Sequence, residues 1–159
     1  MDFAAVARRL ELDQLYTDYV HCLDADELER WPDFFTEDCF YRITSAENYR
    51  AGLPLGLIYA TSRNMLKDRV SALREANIYE PQHYRHLVSS LKIVGEAAGV
   101  LDLVANFMVV RTMQDGDMAI FGAGCYVDQV RRDGDGWKFA RKNVVLDSRQ
   151  IDTLLAIPI

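Results

Sequence analysis

The stretch VLDLVANFMVVRTM, residues 100–113, places Leu101, Leu103, Ala105, Phe107 and Val109 two residues apart. That spacing puts five apolar side chains on one face of an extended strand. The same period of two runs from Arg85 to Val94, from Met118 to Arg131 and from Trp137 to Leu146. Asp115-Gly116 and Asp133-Gly134-Asp135-Gly136 supply turn chemistry between the later strands, so residues 85–146 read as a meander of long antiparallel strands. Strands of this length must twist and coil strongly.

Before residue 80 the period is that of a helix. Leu12, Leu15, Tyr16, Tyr19, Val20 and Leu23 form one apolar stripe, ending near Asp24. Asp26 and Glu29 have capping-box spacing for a short second helix, which Pro32 interrupts, and Phe34 and Phe35 then turn inward. Cys39–Thr44 reads as a first strand, followed by a polar loop at Ser45, Glu47 and Asn48. A third helix follows Thr61 or Ser62, with Leu66, Val70 and Leu73 on its buried face, and stops near Asn77. Helices followed by a run of strands make an α+β fold, with N-terminal helices packed on a strongly curved, mainly antiparallel sheet. With 159 residues and no linker or repeat, residues 1–159 form a single domain.

Composition narrows the function. A net charge of −6 with dispersed basic residues disfavours nucleic acid as a partner. The longest apolar runs are broken by Asp102 and Asn106, and residues 2–11 mix charge with apolar residues, so neither a membrane span nor a secretory signal is read and a cytoplasmic location is expected. Cys22, Cys39 and Cys125 are far apart and odd in number, which suggests buried thiols instead of a disulfide or zinc framework.

Catalytic signals are sparse. His83 and His86, near Glu80, are three apart on a strand and so point to opposite faces, whereas two metal-binding histidines must converge on one ion. Gly122 and Gly124 lie within a strand and mark a bend or bulge, not a nucleotide loop. Asp24, His86, Tyr41 and Tyr126 could serve acid–base chemistry if they faced a common pocket inside the curved sheet. A binding or structural domain and a small enzyme both remain open on the residues alone.

Two stretches carry a resemblance. YRHLVSS, residues 84–90, and FGAGCYVDQVRRDGDGWKFARKNVVLD, residues 121–147, resemble the small subunits of Rieske aromatic-ring-hydroxylating dioxygenases. WPDFFTEDC (31–39), DRVSALREANIYE (68–80) and DTLLAIPI (152–159) are similar to the small subunits acting on aromatic acids, terephthalate dioxygenase first, then anthranilate and salicylate oxygenases. Ser90 departs from the asparagine common there. The resemblance implies a nuclear-transport-factor-like cone, as in ketosteroid isomerase and scytalone dehydratase. It also implies a large-subunit partner carrying the [2Fe–2S] Rieske cluster and mononuclear Fe(II), assembled as three large and three small subunits and fed from NADH by a reductase. On this chain it implies no catalytic, cofactor-binding or metal-binding residue. Its role would be a scaffold, with Tyr79, Tyr84, Arg85 and His86 as candidates for the contact with the large subunit. The alternatives are a stand-alone isomerase or dehydratase using a pocket Asp or His, and a small-ligand binding module; an open or filled cone interior discriminates them. The apolar tail from Asp152 to Ile159 is expected to lie as an ordered hook in a groove.

Overall fold

A computed structural model describes residues 2–75, 80–149 and 157–159. Helix α1 (Phe3–Asp24) starts nine residues before the apolar stripe does, because Asp2 caps it by accepting from the amides of Ala4 and Ala5. A 3₁₀ segment, Leu28–Phe34, leads into β1 (Phe35–Ser45). Next come α2 (Ala46–Arg50), β2 (Ile58–Ala60) and α3 (Arg63–Glu75), then the long strands β3 (Gln82–Ala97), β4 (Val100–Met113), β5 (Met118–Asp133) and β6 (Gly136–Leu146).

These strands form one six-stranded sheet in the order β2-β1-β6-β5-β4-β3. All neighbours are antiparallel except β1 and β6, which run parallel with Tyr41 beside Lys142 and Ile43 beside Val144. Register shifts interrupt four of the five pairings, and each such bulge bends its strand. The sheet therefore curls around α1, whose Leu12, Leu15, Tyr16, Tyr19 and Leu23 fill the concave side. The α+β class expected from the pattern and the cone implied by the resemblance are what forms.

Several local expectations change. Asp26 does not cap a helix: it sits at φ 57°, and Asp26 and Glu29 both bind the guanidinium of Arg74, at 2.9 and 2.8 Å, pinning α3 to the 3₁₀ segment. The polar stretch after Ser45 is the short helix α2, with the Ser45 hydroxyl accepting from the amide of Asn48. Ser62, rather than Thr61, caps α3 by accepting from the Met65 amide. Ser90 adopts φ 57° inside the register shift between Ser89 and Lys92. Asparagine tolerates that left-handed conformation better than serine, a physical reason for the asparagine that the resemblance implies at this position.

Phe121 bulges out between Ile120 and Gly122, so the glycine pair does mark an irregularity. Gly124 answers a second demand: a Cβ there would lie 1.9 Å from the carbonyl oxygen of Val145, so only glycine lets β6 come this close.

Candidate functional site

The concave interior is packed with aromatic rings. Trp31, Phe35 and Tyr41 meet edge to face at centroid distances of 5.1–5.8 Å, and Tyr19 and Phe139 extend the cluster toward Tyr126, which stacks on Phe107 at 4.6 Å. Within this shell lies an ion pair that the sequence reading did not single out. Asp128 on β5 and Lys142 on β6 are directly opposite in register, 2.8 Å apart, with both side chains wholly buried. The Tyr16 hydroxyl donates to the same Asp128 oxygen at 2.5 Å. The ammonium of Lys142 lies 3.6 Å from the Tyr126 ring centroid and 4.3 Å from that of Phe139, so ring faces replace part of its hydration. Burial pushes the Asp128 carboxyl up and the Lys142 ammonium down, against the attraction between the two.

Asp24 and His86 also meet. The last turn of α1 brings the Asp24 carboxylate to β3, where it accepts the His86 backbone N–H at 3.0 Å and lies 2.6 Å from Nδ1 of the ring. Nδ1 is thereby the protonated nitrogen in the neutral ring, leaving Nε2 as an acceptor. Nε2 is buried without a hydrogen-bond partner. Tyr41 and Tyr126 do not join this pair. The Tyr41 hydroxyl is bonded to the main chain of Ile159, and the Tyr126 ring is covered by Phe107 and Lys142. Asp24 borders an open depression of about 550 Å³ with Arg74, Tyr84 and Ile157. His86 borders a separate one of about 450 Å³ between α1 and β3, with Tyr16 and Val20. The four acid–base candidates thus share no common cavity among the described residues.

Strand alternation sorts the remaining candidates. Tyr84 and His86 are buried on the inner face of β3, whereas His83 and Arg85 are exposed on the outer one. Tyr79 lies outside the described residues. Among the described residues no group of three or more His, Cys, Asp or Glu side chains is placed to hold a metal. Cys22 and Cys39 are buried, which raises both thiols to about 11 and leaves them unreactive near neutral pH. Cys125 is half-buried.

The far end of the tail is held inside. Ile157 and Ile159 belong to the core, and the main-chain oxygen of Ile159 accepts from the Tyr19 and Tyr41 hydroxyls, each at 3.1 Å. Residues 150–156 of the expected hook lie outside the described residues.

A family model for the ring hydroxylating beta subunit matches residues 19–153. The small subunit of anthranilate 1,2-dioxygenase from Burkholderia cepacia is 46% identical over 149 residues, covering 94% of this chain and 92% of the relative. Subunit beta 1 of the terminal oxygenase component of terephthalate 1,2-dioxygenase, from Comamonas sp, is 40% identical over 141 residues, covering 89% and 92%. In three dimensions the chain superimposes on a beta subunit of the aromatic-ring-hydroxylating dioxygenase type from Novosphingobium aromaticivorans with a TM-score of 0.89, at 36% identity and covering 98% and 99% of the two chains.

Proposed function

Since the chain belongs to the ring-hydroxylating beta-subunit family and is a small subunit of an aromatic-ring-hydroxylating dioxygenase, we propose that it works as a non-catalytic scaffold. In this reading it holds large subunits in register, three with three small ones, so that the Rieske cluster of one large subunit can pass electrons to the mononuclear iron of the next. A reductase supplies those electrons from NADH, the complex is cytoplasmic, and its substrate is an aromatic carboxylic acid, with a terephthalate-like compound as the first candidate. The iron groups are assigned to the large subunit. No residue of this chain is asked to bind them.

One observation carries the reading. The space where a cone-shaped enzyme would seat its substrate is filled by Trp31, Phe139, Lys142 and Ile159, all 0–2% exposed. General acid–base catalysis needs a proton-transfer group within hydrogen-bond reach of the reacting atom; the aromatic interior offers no such place, and the depressions that Asp24 and His86 border are separate from each other. The isomerase or dehydratase reading draws on the Asp24–His86 contact, but Nε2 of His86 is enclosed by protein.

For the docking face we propose the outer side of β3, β4 and β5. Arg85 stands beside Val110, which stands beside Ile120, and Thr112 stands beside Met118. Leu87, Ile120 and Met118 are 49%, 67% and 69% exposed, an apolar cluster beside a guanidinium of the kind found at interface centres. Tyr84 and His86 would act from behind, fixing the strand that presents Arg85. The test is co-expression with the cognate large subunit. Wild-type chain should co-purify with it, and Arg85→Glu combined with Ile120→Asp should lower the recovered complex at least about tenfold, the consequence of losing roughly 1.4 kcal/mol. Full recovery of the double variant would contradict this placement, and failure of the wild-type chain to capture any large subunit would contradict the scaffold.

A further inference from the structure

Ile157, Pro158 and Ile159 are enclosed, and the way they are enclosed is that of a ligand. Two phenol hydroxyls, Tyr19 from α1 and Tyr41 from β1, converge on a single oxygen of Ile159 at 3.1 Å each. The Tyr41 hydroxyl also accepts the Ile159 amide at 3.2 Å, and the Trp31 indole N–H donates to the Tyr19 hydroxyl at 3.2 Å, which fixes that phenol as a donor toward Ile159. Apolar and aromatic core residues, Trp31 and Phe35 among them, pack around this polar point, and the Arg69 guanidinium lies near enough to Tyr41 to act on it electrostatically. Paired donors on one carbonyl-type oxygen within an apolar pocket are the arrangement by which proteins orient small carbonyl and carboxylate compounds. Burial holds both phenols well above their ordinary titration range, so they remain protonated donors at any physiological pH.

We propose that the cone contains a latent binding site for a small apolar carboxylate or carbonyl compound, and that Ile157–Ile159 occupies it as an intramolecular ligand. Being covalently attached, the tail competes at a high effective concentration, so a free molecule enters only when the tail is weakened. The two isoleucine side chains specify a branched aliphatic or single-ring body, and the paired phenols specify the oxygen. This goes beyond the scaffold role and does not depend on it, since no large-subunit contact enters the geometry.

The full-length chain, its Ile157→Ala/Ile159→Ala variant and the milder Ile159→Ala variant are titrated calorimetrically with benzoate and with N-acetyl-Ile-Pro-Ile, and circular dichroism verifies folding. The weakened variants should bind one equivalent of both probes at least tenfold more tightly than wild type, with melting temperature rising as probe is added. Adding Tyr19→Phe and Tyr41→Phe should remove that gain. If the double alanine variant does not fold, Ile159→Ala alone decides. A folded weakened variant that binds neither probe, wild-type chain that binds as tightly as the variants, or a gain that survives loss of both hydroxyls would each overturn the proposal.

Discussion

Lys142→Met should lower the stability of this subunit by about 3–5 kcal/mol, because it leaves the Asp128 carboxylate buried without its counter-charge. At about 2–4 °C per kcal/mol for a chain of this size, the melting temperature should fall by roughly 6–20 °C. Replacing both partners, Asp128→Leu with Lys142→Met, should recover most of the loss, since apolar replacement of a whole buried pair is often neutral. The variant should also show a signed pH dependence. Burial already pushes the Asp128 carboxyl up, and the attraction of Lys142 is the main force opposing that shift. Without Lys142 the folded-state value rises further. A carboxyl raised above its unfolded value of about 3.9 favours the folded state while protonated and loses that contribution as pH rises through the folded-state value. The deficit of Lys142→Met relative to wild type should therefore grow from pH 4 toward pH 8 in urea titrations. A deficit independent of pH would mean that the carboxylate is not left stranded.

Asp24→Ala should cost about 2–4 kcal/mol. The carboxylate satisfies two buried donors of one residue, the backbone N–H of His86 and its ring Nδ1, and each unsatisfied buried group costs about 1–3 kcal/mol. Asp24→Asn keeps a carbonyl oxygen that can accept one of them and should lose about half as much. Chemical denaturation of the three proteins checks the order; equal stability of Asp24→Ala and wild type would show that water replaces the carboxylate at β3. This gives Asp24 a structural reason to be a carboxylate, without any catalytic one.

How much of this was legible in sequence follows from where the signal is local. β4 was readable to its ends, Val100 to Met113, because its apolar alternation runs from Leu101 to Val109 and turns flank it. β1 was readable only from Cys39, since its first half carries polar Thr36, Glu37 and Asp38 and its pairing with β6 shifts register between Phe35 and Phe40. The parallel pairing of β1 with β6 joins residues about a hundred apart and leaves no turn signature at all. β2, three residues long, is too short for a period to register.

The interior ion pair did leave a trace. Asp128 falls in the same inward phase as Tyr126 and Val130, and Lys142 in that of Val144, so a charge stood at an inward position on each of two successive strands. Buried charges are paired, and two opposite ones on neighbouring hairpin strands are each other's obvious partners. Asp24 and His86 were both suspected, but their contact spans 62 positions and depends on the tilt of α1 across the sheet. Burial of the apolar Ile157 and Ile159 was announced by the sequence, whereas the bonds of Ile159 to Tyr19 and Tyr41 required coordinates.

The scaffold reading is tested most directly by turnover of the assembled, iron-loaded oxygenase carrying Asp24→Asn together with His86→Ala. These change the carboxylate–imidazole pair, which has the geometry of an acid–base dyad. Aromatic-ring oxidation per iron should stay within roughly threefold of wild type, because true general acid–base groups contribute about 10²- to 10⁴-fold. A loss of about a hundredfold or more, with assembly and iron content unchanged, would contradict the account and place a catalytic site on this chain.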